Sequence, residues 1–350
     1  MTDKEFFYAT YKETAAAFRE EILAQENKFL QTFPSNDLMR GETFEFMAEG
    51  GKRLRTVLAR LVTKFLGREE KFATATLDLF HKFLLCHDDI MDRDRMRWGK
   101  PTLHARLERL IEIDSDKEHF GNGLAIVAGD LIAAMSYRMI LESELADRVK
   151  VTLMRHVCQT MDEVAWGWYD QLLMDYEKLS SLKLSYERIR ESIVWVTGKY
   201  TMSFPLRFGY AIMEKEMPAE LEMIADDLGI LFQTGDDLIG IFGDMSISGK
   251  SNYGDIVQGK KTLPIWFAYE RASAEDKQTL VKLVGKKDIS EDEIGAVREI
   301  VRRSGAYDYT HEYMASYANK IKSELEKVEI PEELRRFLKG FVDYLRERDS

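Results

Sequence analysis

At 350 residues, with 45% hydrophobic side chains and only six prolines, the chain is long enough to bury a sizeable core and is seldom interrupted. Its formal charge of −11 excludes nucleic acid as a general partner, because a phosphate backbone needs a basic surface. Two cysteines, Cys86 and Cys158, support neither a disulfide framework nor a zinc site, which predicts a reducing, cytoplasmic setting.

Residues Met1 to Glu5 are polar and acidic, unlike a signal peptide. From Phe7 onward, Tyr11, Phe18, Ile22 and Phe29 recur at helical steps and predict an N-terminal packing helix within 1–37, closed by the turn cluster Phe33–Asp37. Gly50 and Gly51 then punctuate the chain before Lys52-Arg53-Leu54-Arg55 and an apolar run to Leu66. Lys71–Arg95 reads as a second long helix, broken by Trp98-Gly99-Lys100-Pro101-Thr102. After a polar connection around Glu112–His119, helical patterns fill Gly123–Glu142, Asp147–Tyr176, Ser185–Met213 and Pro218–Phe242. The apolar run Gly123–Met135 is too short for a membrane span and carries Asp130, so no transmembrane segment is expected. A glycine-rich loop, Gly243–Gly259, precedes helical patterns near Thr262–Ala272, Asp292–Arg303 and Tyr307–Val328, and Pro331 opens a last one. No segment alternates with period two between turn signals. The expectation is an all-α bundle forming one domain over 1–350.

Two acidic stretches stand out. Leu84-Leu85-Cys86-His87-Asp88-Asp89-Ile90-Met91-Asp92-Arg93-Asp94 places four aspartates at the end of an apolar helix. Asp88 and Asp92 are four apart and share a face, with Asp89 beside them. Asp236 and Asp237 close a second apolar helix, with Gln233 one turn before Asp236. A lone Asp-Asp pair is ordinarily a solvated helix end. Two pairs, each ending an apolar helix, suit Mg²⁺, a hard ion that shares its oxygen ligands with substrate phosphates. Basic residues flank both stretches: Lys52 and Arg55 one turn apart after the glycine pair, Arg97 beyond the first cluster, Lys199 after Gly198, and Lys250 and Lys260 on the glycine-rich loop.

These motifs, in this order, resemble the trans-polyprenyl diphosphate synthases, the class of farnesyl and geranylgeranyl diphosphate synthases, from about Gly50 to the C-terminal helix. The resemblance implies an isoprenoid synthase-type bundle around a central cavity and a homodimer. It implies a metal site of Asp88, Asp89, Asp92, Asp236 and Asp237, holding three Mg²⁺. Lys52 and Arg55 would grip isopentenyl diphosphate, and His81 would bind a diphosphate. Arg97 would hold the allylic diphosphate and Lys199, Lys250 and Lys260 would neutralise it beside the metals, with Thr201 and Gln233 as further substrate-binding residues. The implied reaction ionises the allylic diphosphate, adds the isopentenyl double bond to the cation, and returns a proton to the departing diphosphate. No nucleophilic triad is required, and water must be excluded by the apolar interior.

Three stretches depart from the family pattern. Trp98 stands where a second arginine helps to bind isopentenyl diphosphate, which predicts weak binding that Trp98→Arg would improve, unless Arg95 or Lys100 substitutes. Gly240 stands where many members carry a third aspartate. Gly167-Trp168-Tyr169-Asp170-Gln171 replaces a Gly-Gln-x-x-Asp pattern. In the family, side chains about one turn before the first aspartate limit product length. Phe83 with the smaller Leu84, and Phe80 a turn further down, resemble members forming a C20 product, with C15 second in order. Two other readings remain: a class I terpene cyclase, which would prefer an Asn/Ser/Glu second metal motif, and a non-catalytic partner subunit, which would ordinarily lose the aspartates.

Overall fold

The computed structural model describes residues 1–31, 37–110, 112, 115–243 and 253–347, with side chains described outside 18–30 and 37–39. The chain groups into two compact units. One contains Tyr8–His156 and Pro205–Glu216; the other contains Met1–Phe7, Val157–Phe204 and Met217–Ser350. Among the described residues the only strands are two residues long, and every other regular element is helical.

The first unit holds α1 (Asp3–Leu30) beyond Phe7, α2 (Asp37–Ala48), α3 (Leu54–Phe65), α4 (Thr76–Met91), α5 (Leu103–Leu107), α6 (Lys117–Leu141) and the start of α7 (Asp147–Tyr176). It also holds all but the first residue of α9 (Phe204–Ile212). Val57, Leu58, Leu61 and Val62 make one apolar stripe of α3, fully buried. The α9 backbone comes against that stripe at Gly209, where an added Cβ would lie 2.6 Å from a Val62 methyl. Small residues also bring α4 and α6 together: a Cβ at Gly129 would stand 2.9 Å from His87 Nε2 and 3.2 Å from Cys86 Cβ. Helix α6 starts six residues earlier than the apolar run predicts, at Lys117, and is long and apolar enough by composition to cross a membrane. Half of its apolar window is buried, with Ile132, Met135 and Met139 inside the unit.

The second unit holds the rest of α7, then α8 (Tyr186–Ile193), a π-helical segment (Val194–Ser203), α10 (Ala219–Phe242), α11 (Gly254–Gln258), α12 (Leu263–Arg271), α13 (Ala274–Leu283), α14 (Glu291–Arg303), α15 (Ala306–Leu325) and α16 (Glu332–Glu347). Its core includes Ile230 and Ile241 of α10, Phe267 of α12 and Val297 and Ile300 of α14. The first turn of α1 docks on α16, where Phe7 meets Phe337 and Phe341 at 5.0 and 5.4 Å between ring centroids and Arg336 pairs with Asp3 at 3.1 Å.

Several elements differ from the sequence expectation. The predicted helix Lys71–Arg95 ends at Met91, because Arg93 takes a left-handed backbone (φ +57°) and turns the chain into a hairpin. Helices α2, α5, α11 and α13 were not anticipated. Only Leu280 and Leu283 of α13 are buried, so its apolar stripe is too thin to read. Its N-terminus is nevertheless marked by Ser273, which accepts from the Asp276 N–H at 3.2 Å. The predicted turn Phe33–Asp37 falls mostly outside the described residues.

Candidate active site

Helix α4 brings the first acidic cluster to its C-terminal end. Asp89 is 1% exposed and Asp88 partly so, while Asp92 caps the helix by donating its N–H to the Asp88 carbonyl at 2.8 Å. A two-residue hairpin follows, with β1 (Met96–Arg97) antiparallel to β2 (Lys100–Pro101) and Arg97 opposite Lys100. Its turn residues, Trp98 and Gly99, have φ of +52° and +73°, the sign of backbone that matches the twist of paired strands. The hairpin folds Arg97 back over the aspartates. Its Nε donates to Asp89 Oδ1 at 2.6 Å, and its Nη2 reaches Asp88 Oδ2 at 3.1 Å. Burial works against the Arg97 charge, but Asp89 and Asp88 more than offset it and hold the guanidinium above its usual range.

His81 lies two turns before Asp88 on α4, and Phe80, Phe83 and Leu84 of the same helix are in the core at 2% exposure or less. Burial drives its pKa well below the ordinary 6.5, and the charges of Arg55, Lys82, Arg97 and Arg53 add to the effect. The imidazole is therefore neutral and set among four cations. Arg55 belongs to α3, and Lys52 is exposed just before it, its carbonyl accepting from the Tyr11 hydroxyl. Arg53, which the motif reading passed over, is buried and ion-paired with Asp78. Phe80 and Phe83 meet edge to face at 5.8 Å, and Phe83 meets His87 at 5.0 Å. The two cations considered as substitutes at Trp98 are both engaged: Arg95 with Glu108 at 2.6 Å and Lys100 with Glu49 at 2.6 Å.

In the second unit, α10 carries Gln233, Asp236 and Asp237. Gln233 donates to Asp237 Oδ1 at 2.8 Å and accepts from the Thr197 hydroxyl at 2.7 Å. That hydrogen-bond chain exists because α10 and the π segment touch through glycines: a Cβ on Gly229 would overlap Gly198. Asp237 is buried, and burial, with repulsion from Asp255, pushes its carboxyl up to about 7. Asp255, on α11, fills the space that a side chain at Gly240 would need, and Lys260 stands 3.8 Å from it. Both Thr197 and Asp255 were missed in the sequence. Asp255 had a faint signal, five residues before Lys260 on the same glycine-rich stretch.

Lys199 and Thr201 are not in that chain. The Lys199 ammonium is held by Glu222 at 2.8 Å and Asp226 at 2.8 Å, and these two bonds more than offset the effect of burial on its charge. Asp226 precedes Asp237 by eleven residues, roughly 16 Å along α10. Thr201 is buried further along the same segment. The expectation assumed α-helical register; the i→i+5 bonding of Val194–Ser203 widens the turns and shifts which side chains share a face, so Thr197 points to Gln233. On α7, Asp170 pairs with Arg188 at 2.6 Å, and Gly167 admits the close approach of Val196 and Trp195. Lys250 lies outside the described residues.

No group of three or more His, Cys, Asp or Glu side chains forms a closed metal cage among the described residues. Magnesium does not need one, since it binds through one or two carboxylates, waters and substrate phosphates. A carboxyl pushed up by burial and by a second one beside it, as Asp237 is with Asp255 near, fits a hard dication, whose charge would offset both effects.

A family described as polyprenyl synthetase matches residues 38–301. Geranylfarnesyl diphosphate synthase of Aeropyrum pernix is 30% identical over 330 residues, covering 89% of this chain and 95% of that protein. Geranylgeranyl pyrophosphate synthase of Geoglobus acetivorans is 30% identical over 310 residues, 87% of this chain and 89% of that one. Among solved structures, geranylgeranyl pyrophosphate synthase from Corynebacterium glutamicum, complexed with isoprenyl diphosphate and magnesium, superposes with a TM-score of 0.82 at 27% identity, covering 99% of this chain and all of that one.

Proposed function

We propose a specific reaction for this chain, which belongs to the polyprenyl synthetase family: condensation of isopentenyl diphosphate with an allylic diphosphate, repeated to a C20 product, geranylgeranyl diphosphate. The observation that carries this reading is the basic cluster around a neutral His81, beside the carboxylates Asp88 and Asp89. Arg53, Lys82 and Arg97 are committed to Asp78, to the end of α2 and to Asp88 and Asp89 and make the surroundings positive, while Arg55 and Lys52 are the donors we assign to a diphosphate, whose charge needs several at once.

Bound magnesium, three ions in our reading, would supply the positive charge that stabilises the diphosphate as it leaves. Asp88, Asp89, Asp92, Asp236 and Asp237 would hold it, with Asp255 as a sixth carboxylate. Lys52, Arg55 and His81 bind isopentenyl diphosphate; Arg97 orients Asp88 and Asp89 through its two hydrogen bonds, and Lys260 neutralises the allylic diphosphate. Thr197 sets the Gln233 amide so that its nitrogen faces Asp237. Lys199, tied to Glu222 and Asp226, keeps the role of a diphosphate cation only if substrate draws it from that pair. In the reaction the allylic C–O bond breaks with its electron pair on the diphosphate. The isopentenyl double bond then forms the new C–C bond, and the proton it sheds goes to the departing diphosphate. Phe83 and Phe80 set the depth of the growing chain.

The protein acts as a homodimer in the cytoplasm in this reading. The test is an assay of purified protein with Mg²⁺, isopentenyl diphosphate and a panel of allylic diphosphates, the products separated by chromatography. A C20 diphosphate as the main product is expected. A cyclic hydrocarbon would mean a cyclase, and no product from any allylic substrate would leave a partner subunit.

A further inference from the structure

A helix leaves its last four carbonyls without partners in the helix, and something else must satisfy them when the end is buried. At the end of α2 two cations do so. Lys82 Nζ donates to the carbonyls of Phe46, at 3.2 Å, and Glu49, while Arg53 Nη2 donates to those of Met47 and Ala48 at 3.4 and 3.3 Å. Lys82 comes from α4 and is 1% exposed. Next come Gly50 and Gly51, with φ of +55° and +78°, leading into Lys52 and Arg55. Trp98 closes this turn from the other side. A Cβ on Gly50 would overlap the indole, and the Lys82 ammonium lies 4.3 Å from the ring centroid. The ring is kept there by the hairpin turn.

We propose that Lys82 and Trp98 are a coupled positioning pair for the isopentenyl diphosphate subsite: together they fix the Gly50–Gly51 turn and so the placement of Lys52 and Arg55. The inference rests on the reading of the reaction given above. Trp98 adds no charge where the resembled family has an arginine; its ring screens a lysine one position past His81. The consequence reverses the sequence expectation. Trp98→Arg sets a second cation against Lys82 and takes the ring off Gly50, so it weakens isopentenyl diphosphate binding.

The test titrates isopentenyl diphosphate, with Mg²⁺ present, onto the unmodified protein, Lys82→Met, Lys82→Arg, Trp98→Ala, Trp98→Phe, Trp98→Arg and the Lys82→Met/Trp98→Ala double variant. KM for both substrates and kcat are measured alongside. Lys82→Met, Trp98→Ala and Trp98→Arg should each weaken binding and raise KM for isopentenyl diphosphate about tenfold, with kcat and the allylic KM within about twofold. Lys82→Arg and Trp98→Phe should retain most of the affinity, and the double variant should be no worse than the poorer single one, because coupled residues are not additive. Unchanged affinity, equal changes for both substrates, or additive losses would overturn the pair. Should Lys82→Met fail to fold, the contrast of Trp98→Ala with Trp98→Phe decides. If the unmodified protein binds no isopentenyl diphosphate, the proposed function falls and this inference with it; if all variants bind as it does, only the inference falls.

Discussion

Asp88 lies in the last turn of α4 and Asp237 in the C-terminal part of α10, and the surroundings of both favour a cation more than a core contact. Asp88 is already touched by Arg97, and Asp237 is ringed by Gln233, Asp255 and Lys260. Replacing either with Asn should lower turnover at least a hundredfold, about 2.7 kcal/mol of transition-state stabilisation, with the helical circular dichroism unchanged. Near-normal turnover in both variants would remove them from the chemistry. His81 makes a separate claim on pH. Its folded pKa lies below the ordinary 6.5, so as pH falls below that value the unfolded chain takes up a proton that the folded one refuses. Stability should therefore be full above 6.5 and decline on acidification, by up to about 1.4 kcal/mol per pH unit from this one group. Urea midpoints at pH 7.5 and 5.5 should show a shallower decline in His81→Gln than in the parent; equal slopes would mean that His81 is not held neutral.

At the scale of elements, α4 does two things at once. One end presents aspartates, and the turns before it present Phe83 and Phe80 in the core. One turn is about 5.4 Å, close to the length of an isoprene unit, so bulk on successive turns can act as a ruler. Phe83→Ala should lengthen the product beyond C20, and adding Phe80→Ala should lengthen it again, both read by chromatography of the dephosphorylated alcohols. An unchanged product from the double variant would put the floor elsewhere, with α6 the next candidate because Gly129 brings it against His87. The π segment is the other element with a functional consequence. Its register sets Thr197 on Gln233 and sends Lys199 to Glu222 and Asp226.

At the scale of the molecule, both units are held by apolar burial and glycine-mediated helix contacts, and among the described residues no group of three or more His, Cys, Asp or Glu side chains gathers to hold a metal. Chelation of divalent metal should therefore abolish turnover while leaving the helical signal intact and the melting temperature within a few degrees. Ligand linkage adds only RT ln(1 + [L]/Kd), a small term near the dissociation constant. Loss of helix on chelation would show that metal is part of the fold. The net charge of −11 supplies no long-range attraction for an anionic substrate, so in the proposed reading the affinity for a diphosphate comes from local cations.

The sequence by itself determined the all-α class, most helix positions and the two acidic stretches, because helical periodicity and adjacent aspartates are local signals. Asp147–Tyr176 is bounded as its pattern predicts, and the Ser290–Glu293 capping box opens α14 one residue from the predicted start. Only the tertiary structure decided which polar groups meet. Thr197 reaches Gln233 through a bonding pattern that composition does not announce, and Asp255 enters the space left by Gly240 from a separate helix. Lys82 reads as an ordinary helix lysine until the end of α2 and the Trp98 ring enclose it. Such meetings depend on backbone register and on distant segments packing together, and neither is encoded within one turn of the residues concerned.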